Sequence, residues 1–222
     1  MNNKINEIME SLEFRHACKE FDNTKKISDE EFKVILEAGR LAPSSLGLEP
    51  WRFIVIDNQD YKDKLGEVSW GGRRQIPTCS KFVVILTRNA NSLRYDSKYI
   101  DHLLKDIKKV PADIEVMMKD TLKKLEVARF DIDNRSELLN MYSNTQSHMA
   151  LQNMMQIAAE MKIDSCAIGG YDEATLEEIL VKEGMLNKDE FIIGTTVAFG
   201  YRKAEPRPKT RQSFEELVHV IK

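Results

Sequence analysis

Arg15-His16-Ala17-Cys18-Lys19-Glu20-Phe21 is the stretch on which the reading of this 222-residue chain turns. It follows a short amphipathic pattern and is predicted to be extended, with Arg15 and Lys19 four residues apart. A phosphate needs fixed positive charge and directed donors, and an arginine fork beside a lysine supplies both. Two distant segments likewise put small polar residues or cations next to backbone that cannot be regular helix: Pro43-Ser44-Ser45-Leu46-Gly47-Leu48-Glu49-Pro50-Trp51 and Pro206-Arg207-Pro208-Lys209-Thr210-Arg211. Their prolines reject regular helix. Taken singly, each is ordinary turn or solvated surface chemistry. One anionic ligand touching all three would tie both ends of the chain together.

Around these segments, hydrophobic period and capping signals set out the elements. Ile5, Ile8, Met9 and Leu12 mark one face of a helix over 4–12. Ser28-Asp29-Glu30-Glu31 is a capping box, and the helix it opens runs to about Leu41, ahead of Pro43. Strands are predicted at 51–57, 82–88, 164–168 and 191–200, the second apolar enough for burial on both faces. Helices are predicted at 60–68 and, capped by Asp172, at 172–181, with a small-residue, Met-rich core helix over 143–161. Gly71-Gly72 breaks the pattern. Residues 91–140 look like a charged helical insertion broken at Pro111, and the tail from 202 cannot begin as regular structure.

Composition narrows the class. One domain over 1–222 is the expectation. A net charge of -3 argues against a general nucleic-acid binder. Apolar runs are too short to span a membrane, and no apolar leader opens the sequence. Cys18, Cys79 and Cys166 lack metal or disulfide spacing, so no metal site and a cytoplasmic location are expected. The chain lacks GxGxxG and GxxxxGK[ST], which removes support for a Rossmann or P-loop reading. His148 is expected to be a satisfied interior histidine. The cations flanking Cys18 could lower its pKa. Ala167-Ile168-Gly169-Gly170-Tyr171-Asp172 ends a strand and starts a helix, and its paired glycines would admit a flat ring close to the backbone.

Together, Arg15 to Asp22, Leu41 to Trp51, Ala167 to Tyr171 and Gly200 to Arg211 resemble, in order and spacing, the flavin-dependent, oxygen-insensitive nitroreductase family. The resemblance runs from about residue 12 to 220 and is nearest to the Bacillus-type NAD(P)H nitroreductases. It implies an α+β sandwich with a mostly antiparallel central sheet and helices on both faces. It implies a homodimer in which an arm over 202–222 wraps the partner. FMN would sit at the dimer interface. Arg15, His16, Ala17 and Lys19 would contact its phosphate, ribityl chain or ring edge, and Lys209 and Arg211 would complete the phosphate site. Pro43, Ser44 and Ser45 would come from the partner subunit. Ala167, Ile168, Gly169 and Gly170 would lie over one ring face, Gln146 would reach the flavin region, and Gln75 would stand near the pyrimidine edge or nicotinamide. Some members carry serine at Ala17, asparagine at Gly72 and glutamate at Gly169.

The implied activity is ping-pong reduction. NADH or NADPH reduces the flavin, and a small-molecule acceptor such as a nitroaromatic or quinone is then reduced. No side chain need be catalytic, because flavin N5 carries the chemistry. The alternatives are the same fold acting on another substrate (as a dehalogenase, or an enone or pteridine reductase) and a flavin-binding sensor without turnover.

Overall fold

The computed structural model describes residues 3–222. Its strands are β1 (Trp51–Ile56), β2 (Lys81–Arg88), β3 (Asp164–Ile168) and β4 (Phe191–Gly200), in the sheet order β1-β2-β4-β3. All three pairings are antiparallel. The helices are α1 (Asn3–Phe14), α2 (Asp29–Arg40), α3 (Gln59–Val68), α4 (Gln75–Thr78), α5 (Ala90–Leu93), α6 (Lys98–His102), α7 (Ala112–Ala128), α8 (Ser136–Glu160), α9 (Glu173–Lys182) and α10 (Phe214–Leu217).

Strand β2 is buried from Lys81 to Thr87, as its apolar run predicts. The pleat sends Phe82, Val84 and Leu86 to one face and Val83 and Ile85 to the other. The first set packs with Leu65 of α3, Ile76 of α4 and Leu176 of α9. The second packs with Phe32 and Ile35 of α2 and Leu151 and Met154 of α8. The fold is therefore α+β, an antiparallel sheet covered by helices on both faces. Helix starts follow the sequence signals. The Glu31 amide donates to Ser28 Oγ at 3.2 Å, and the Ser28 amide returns a bond to Glu31 Oε2 at 3.0 Å. Asp172 caps α9 through the Thr175 amide at 2.8 Å.

Two expectations need correction. Helix α8 starts at Ser136, seven residues before the predicted 143. Its first turns serve a different core: Leu139 packs with Leu93, Ile100 and Leu122 in a third cluster, which also takes in Leu48 and Ala90. The sheet-facing stripe, from which the start was read, begins only at Ser143. His148 is exposed rather than interior, with Nδ1 3.0 Å from the Asn144 carbonyl oxygen. Ser147, Ala150, Leu151 and Met154 take the inner stripe of α8, so position 148 falls on the outer arc.

Helix α8 reaches the sheet across a bulge. Ile85 pairs with Thr195 and Leu86 with Ile193, which leaves Gly194 without a partner in β2. A Cβ at Gly194 would lie 2.5 Å from Thr87 Cγ2 and 2.9 Å from Ser147 Oγ. Hydroxyls of Thr87 and Ser143 bond beside it. Gly194→Ala is expected to lower stability by about 1–3 kcal/mol through overpacking. A shift of the urea midpoint at unchanged slope checks this; an unshifted midpoint would show that α8 can move away freely.

Candidate functional site

The site is organised by a carboxylate. Asp164 opens β3, opposite Gly200, and its side chain is 2% exposed. Two residues beyond Gly200, Arg202 donates Nε to Asp164 Oδ1 at 3.0 Å, and its Nη2 lies 2.8 Å from the same oxygen. The Arg202 amide donates to Oδ2 at 2.8 Å. His16 Nδ1 is 3.5 Å from Oδ1, and the Arg202 guanidinium lies 4.2 Å from the centroid of the Phe14 ring. Arg202, in the basic stretch after Gly200, is thus a structural partner. The antiparallel register places it there.

The segment 15–21 is extended, as predicted, and adds to the sheet beyond β3. Ala17 bridges Ser165 in parallel and Phe21 bridges Arg202 in antiparallel. The Cys18 amide donates to the Ser165 carbonyl at 3.1 Å. Insertion at this edge buries Cys18. Burial, and then the Asp164 charge, push its thiol pKa up to about 12, the reverse of the lowering that its flanking cations suggested. The thiol is therefore inert as a nucleophile.

From its root at Arg202 the tail runs back along this segment. A cleft of about 1370 Å³ opens between them, lined by Arg15, His16, Ala17, Lys19, Lys209 and Arg211. Lys209 Nζ donates to the carbonyl oxygens of Leu12 and Arg15, the latter at 2.6 Å. Desolvation first, and then the Arg15 guanidinium, lower the Lys209 pKa, and Arg211 adds to the effect. Cations gathered along one cleft fit an anion between them. The sequence reading missed Arg74 and Glu20 in this lining; Arg74 sits beside Gln75, and the Arg73-Arg74 pair was the available signal.

The end of β3 shows a mixed surface. Ala167 is exposed, while Ile168 turns inward at 2% exposure and its carbonyl accepts from Thr196 Oγ1 at 2.8 Å. Gly169 faces open space, with nothing within 4 Å of a Cβ built on it. Gly170 is covered: its carbonyl accepts from the Gly71 amide at 2.7 Å, and a Cβ on it would meet the Trp70 ring at 2.8 Å. At Gly72 a Cβ would lie 2.7 Å from Ile76 Cδ1, so the asparagine of some family members would require the Ile76 side chain to shift. Gln75 is buried and bonds toward Cys166.

Pro43, Ser44, Ser45 and Gln146 form a separate group. The Ser45 amide donates to Gln146 Oε1 at 2.9 Å, and the Glu49 amide to Ser44 Oγ at 2.9 Å. None of the four lines the cleft. Among the described residues no cluster of His, Cys, Asp or Glu could hold a metal ion.

Solved structures share this architecture. The chain is similar to a protein from Exiguobacterium sibiricum, described as a candidate nitroreductase and solved in complex with FMN, at TM-score 0.74 and 23% identity over 96% of this chain and 97% of that one. It is also similar to an enone reductase of gut-bacterial fatty acid saturation, at TM-score 0.76 and 19% identity over 100% and 99% of the two chains. The fold is the α+β nitroreductase-like fold. The chain belongs to the nitroreductase family, whose sequence pattern it matches over residues 12–201. A Bacillus subtilis (strain 168) relative, YfkO, described as a candidate NAD(P)H nitroreductase, is 44% identical over 223 residues, covering 97% of each chain.

Asp164→Ala should cost about 3 kcal/mol or more, because it strands a part-buried guanidinium. It should also open the 202–211 tail to trypsin. Chemical denaturation and timed proteolysis check both; an unchanged cleavage rate would show that the tail is held by other contacts.

Proposed function

We propose that this chain is an FMN-dependent NAD(P)H oxidoreductase of the Bacillus-type subgroup, reducing nitroaromatics, quinones or related acceptors by ping-pong turnover. The observation that carries the reading is the cleft that joins Arg15 and Lys19 to Lys209 and Arg211 from the opposite end of the chain. A dianionic phosphate answers the mutual repulsion of its cations. Bound FMN would supply two-electron chemistry at its ring N5.

Within this reading, Arg15, Lys209 and Arg211 bind the phosphate, and His16 and Ala17 border the ribityl chain or ring edge. Lys19 holds positive charge against the negative charge that builds on the reduced ring. Exposed Ala167 and the open space at Gly169 leave room for a flat ring. Pro43, Ser44 and Ser45 serve the second site of a homodimer, which is supported by their lying outside this protomer's own cleft. Gln146, bonded to Ser45, goes with them. The apolar side chains that α1 and the tail leave exposed (Ile5, Ile8, Met9, Leu12, Phe214 and Ile221 among them) support an obligate dimer in which 202–222 wraps the partner. Three free thiols support a reducing, cytoplasmic setting.

A second reading keeps the flavin and changes the acceptor, and the likeness to the enone reductase favours it over other substrates. A panel of nitroaromatics, quinones and enones separates the two.

Purified protein should be yellow and should bleach when NADH or NADPH is added without oxygen. Yellow protein that does not bleach would point to a flavin-binding sensor. Colourless protein that FMN cannot restore would end the reading. Arg211→Ala should weaken FMN binding by about tenfold or more through the loss of a charge-assisted bond. Quenching of flavin fluorescence on titration measures it.

A further inference from the structure

The turn between α2 and β1 has a backbone that its own residues do not favour. Leu46 (φ 54°), Gly47 (φ 62°) and Glu49 (φ 47°) all stand in the left-handed region, and two of the three carry a full side chain. Such residues stay there only where surrounding contacts impose it.

The contacts come from the 91–140 segment. The Tyr99 hydroxyl of α6 is shared between the Leu48 carbonyl oxygen at 2.6 Å and the Glu49 carbonyl oxygen at 2.9 Å. Lys108 Nζ is 3.4 Å from Glu49 Oε1, and 2.9 Å from where a Cβ on Gly47 would stand. Both side chains are braced in turn. The Arg88 guanidinium lies 3.5 Å from the centroid of the Tyr99 ring, and the Arg88 amide donates to the Pro50 carbonyl at 2.7 Å. Lys108 follows a π-helical turn over Leu103–Ile107, and its amide donates to the Leu103 carbonyl at 2.8 Å. Turns of that kind are rare and gather at functional sites. Buried Leu48 anchors the end of the turn among Ile100, Leu103 and Leu104. What this clamp leaves uncommitted is the donor capacity of the serines. Ser44 Oγ accepts from the Glu49 amide and Gln146 takes the Ser45 amide, but neither serine hydroxyl donates to a partner among the described residues.

We propose that Tyr99 and Lys108 are positioning residues for the flavin site: they lock the Ser44–Glu49 turn so that the Ser44 and Ser45 hydroxyls donate to the flavin of a second copy of this chain. This rests on the reading of that turn as part of the second site of a homodimer. Tyr99 and Lys108 act through the turn and take no part in electron transfer. The 91–140 segment thereby contributes to cofactor binding from a distance. Its own core, by packing Leu48, fixes where the serines stand.

The test compares the wild type with Tyr99→Phe, Lys108→Gln and Lys108→Arg, each as the purified full chain. Amide hydrogen exchange is read by mass spectrometry on peptides spanning 44–50 and 118–139, and FMN release on dilution is read by recovery of flavin fluorescence. Tyr99→Phe should speed exchange over 44–50 by about tenfold and weaken FMN binding by about tenfold, because it leaves two carbonyl oxygens without their donor. Exchange over 118–139 should stay level. Lys108→Gln should act in the same direction by a smaller factor, and Lys108→Arg, which keeps the charge opposite Glu49, should restore both readouts. Unchanged exchange over 44–50 overturns the clamp. Faster exchange spread equally over both peptides shows a merely structural hydroxyl and overturns the positioning role, as does faster exchange at the turn with unaltered FMN affinity. A wild type that binds no FMN sinks the flavin reading, and exchange at the turn then decides by itself whether Tyr99 and Lys108 hold it.

Discussion

The ion pair between Asp164 and Arg202 is the constraint on which the site depends. It is nearly buried on the acid's side and is reinforced by the Arg202 amide, His16 and the face of Phe14. A buried pair stabilises little in net terms, but removing one member is costly, so it acts as a geometric pin. It joins the first residue of β3 to the root of the tail and to the segment after α1. It roots the tail, which the Lys203–Glu20 ion pair and the Lys209 bonds to the Leu12 and Arg15 carbonyl oxygens then hold along the segment after α1.

That pin makes the cationic cleft possible. Charges of one sign do not gather unless the fold forces them together, and burial first, then the Arg15 charge, lower the Lys209 pKa. Its bonds to the carbonyl oxygens of Leu12 and Arg15 offset part of the cost. A site built this way is preorganised: the repulsion is met during folding, and an arriving anion relieves it.

Helix α8 links this end of the molecule to the rest. One face of its later turns lies on Val83, Ile85 and Val197, and its first turns lie on the core of the 91–140 segment. Its close approach to the sheet needs the unpaired Gly194 and the small side chains of Ser143 and Ser147. Gln146 on the same helix holds the Pro43–Ser45 turn. The turn, the insertion and the sheet therefore share one rigid support.

Much of this could be read from the chain alone. Apolar period placed all four strands to within a residue or so, and Ser28 and Asp172 marked helix starts, because capping and burial are local in sequence. Joining Arg15 and Lys19 to Lys209 and Arg211 came from the resemblance, not from spacing. The tertiary structure decided what depends on long-range register. The pairing of β3 with β4 put Asp164 beside Arg202 and tied that part-buried guanidinium to a buried carboxylate. Insertion of 17–18 at the sheet edge buried Cys18 and raised its pKa. The inner stripe of α8 sent His148 outward, and the reach of that helix into a second core hid its true start. Residue types state what a side chain can do; only the packing of distant segments decides which partner, solvent or charge it meets.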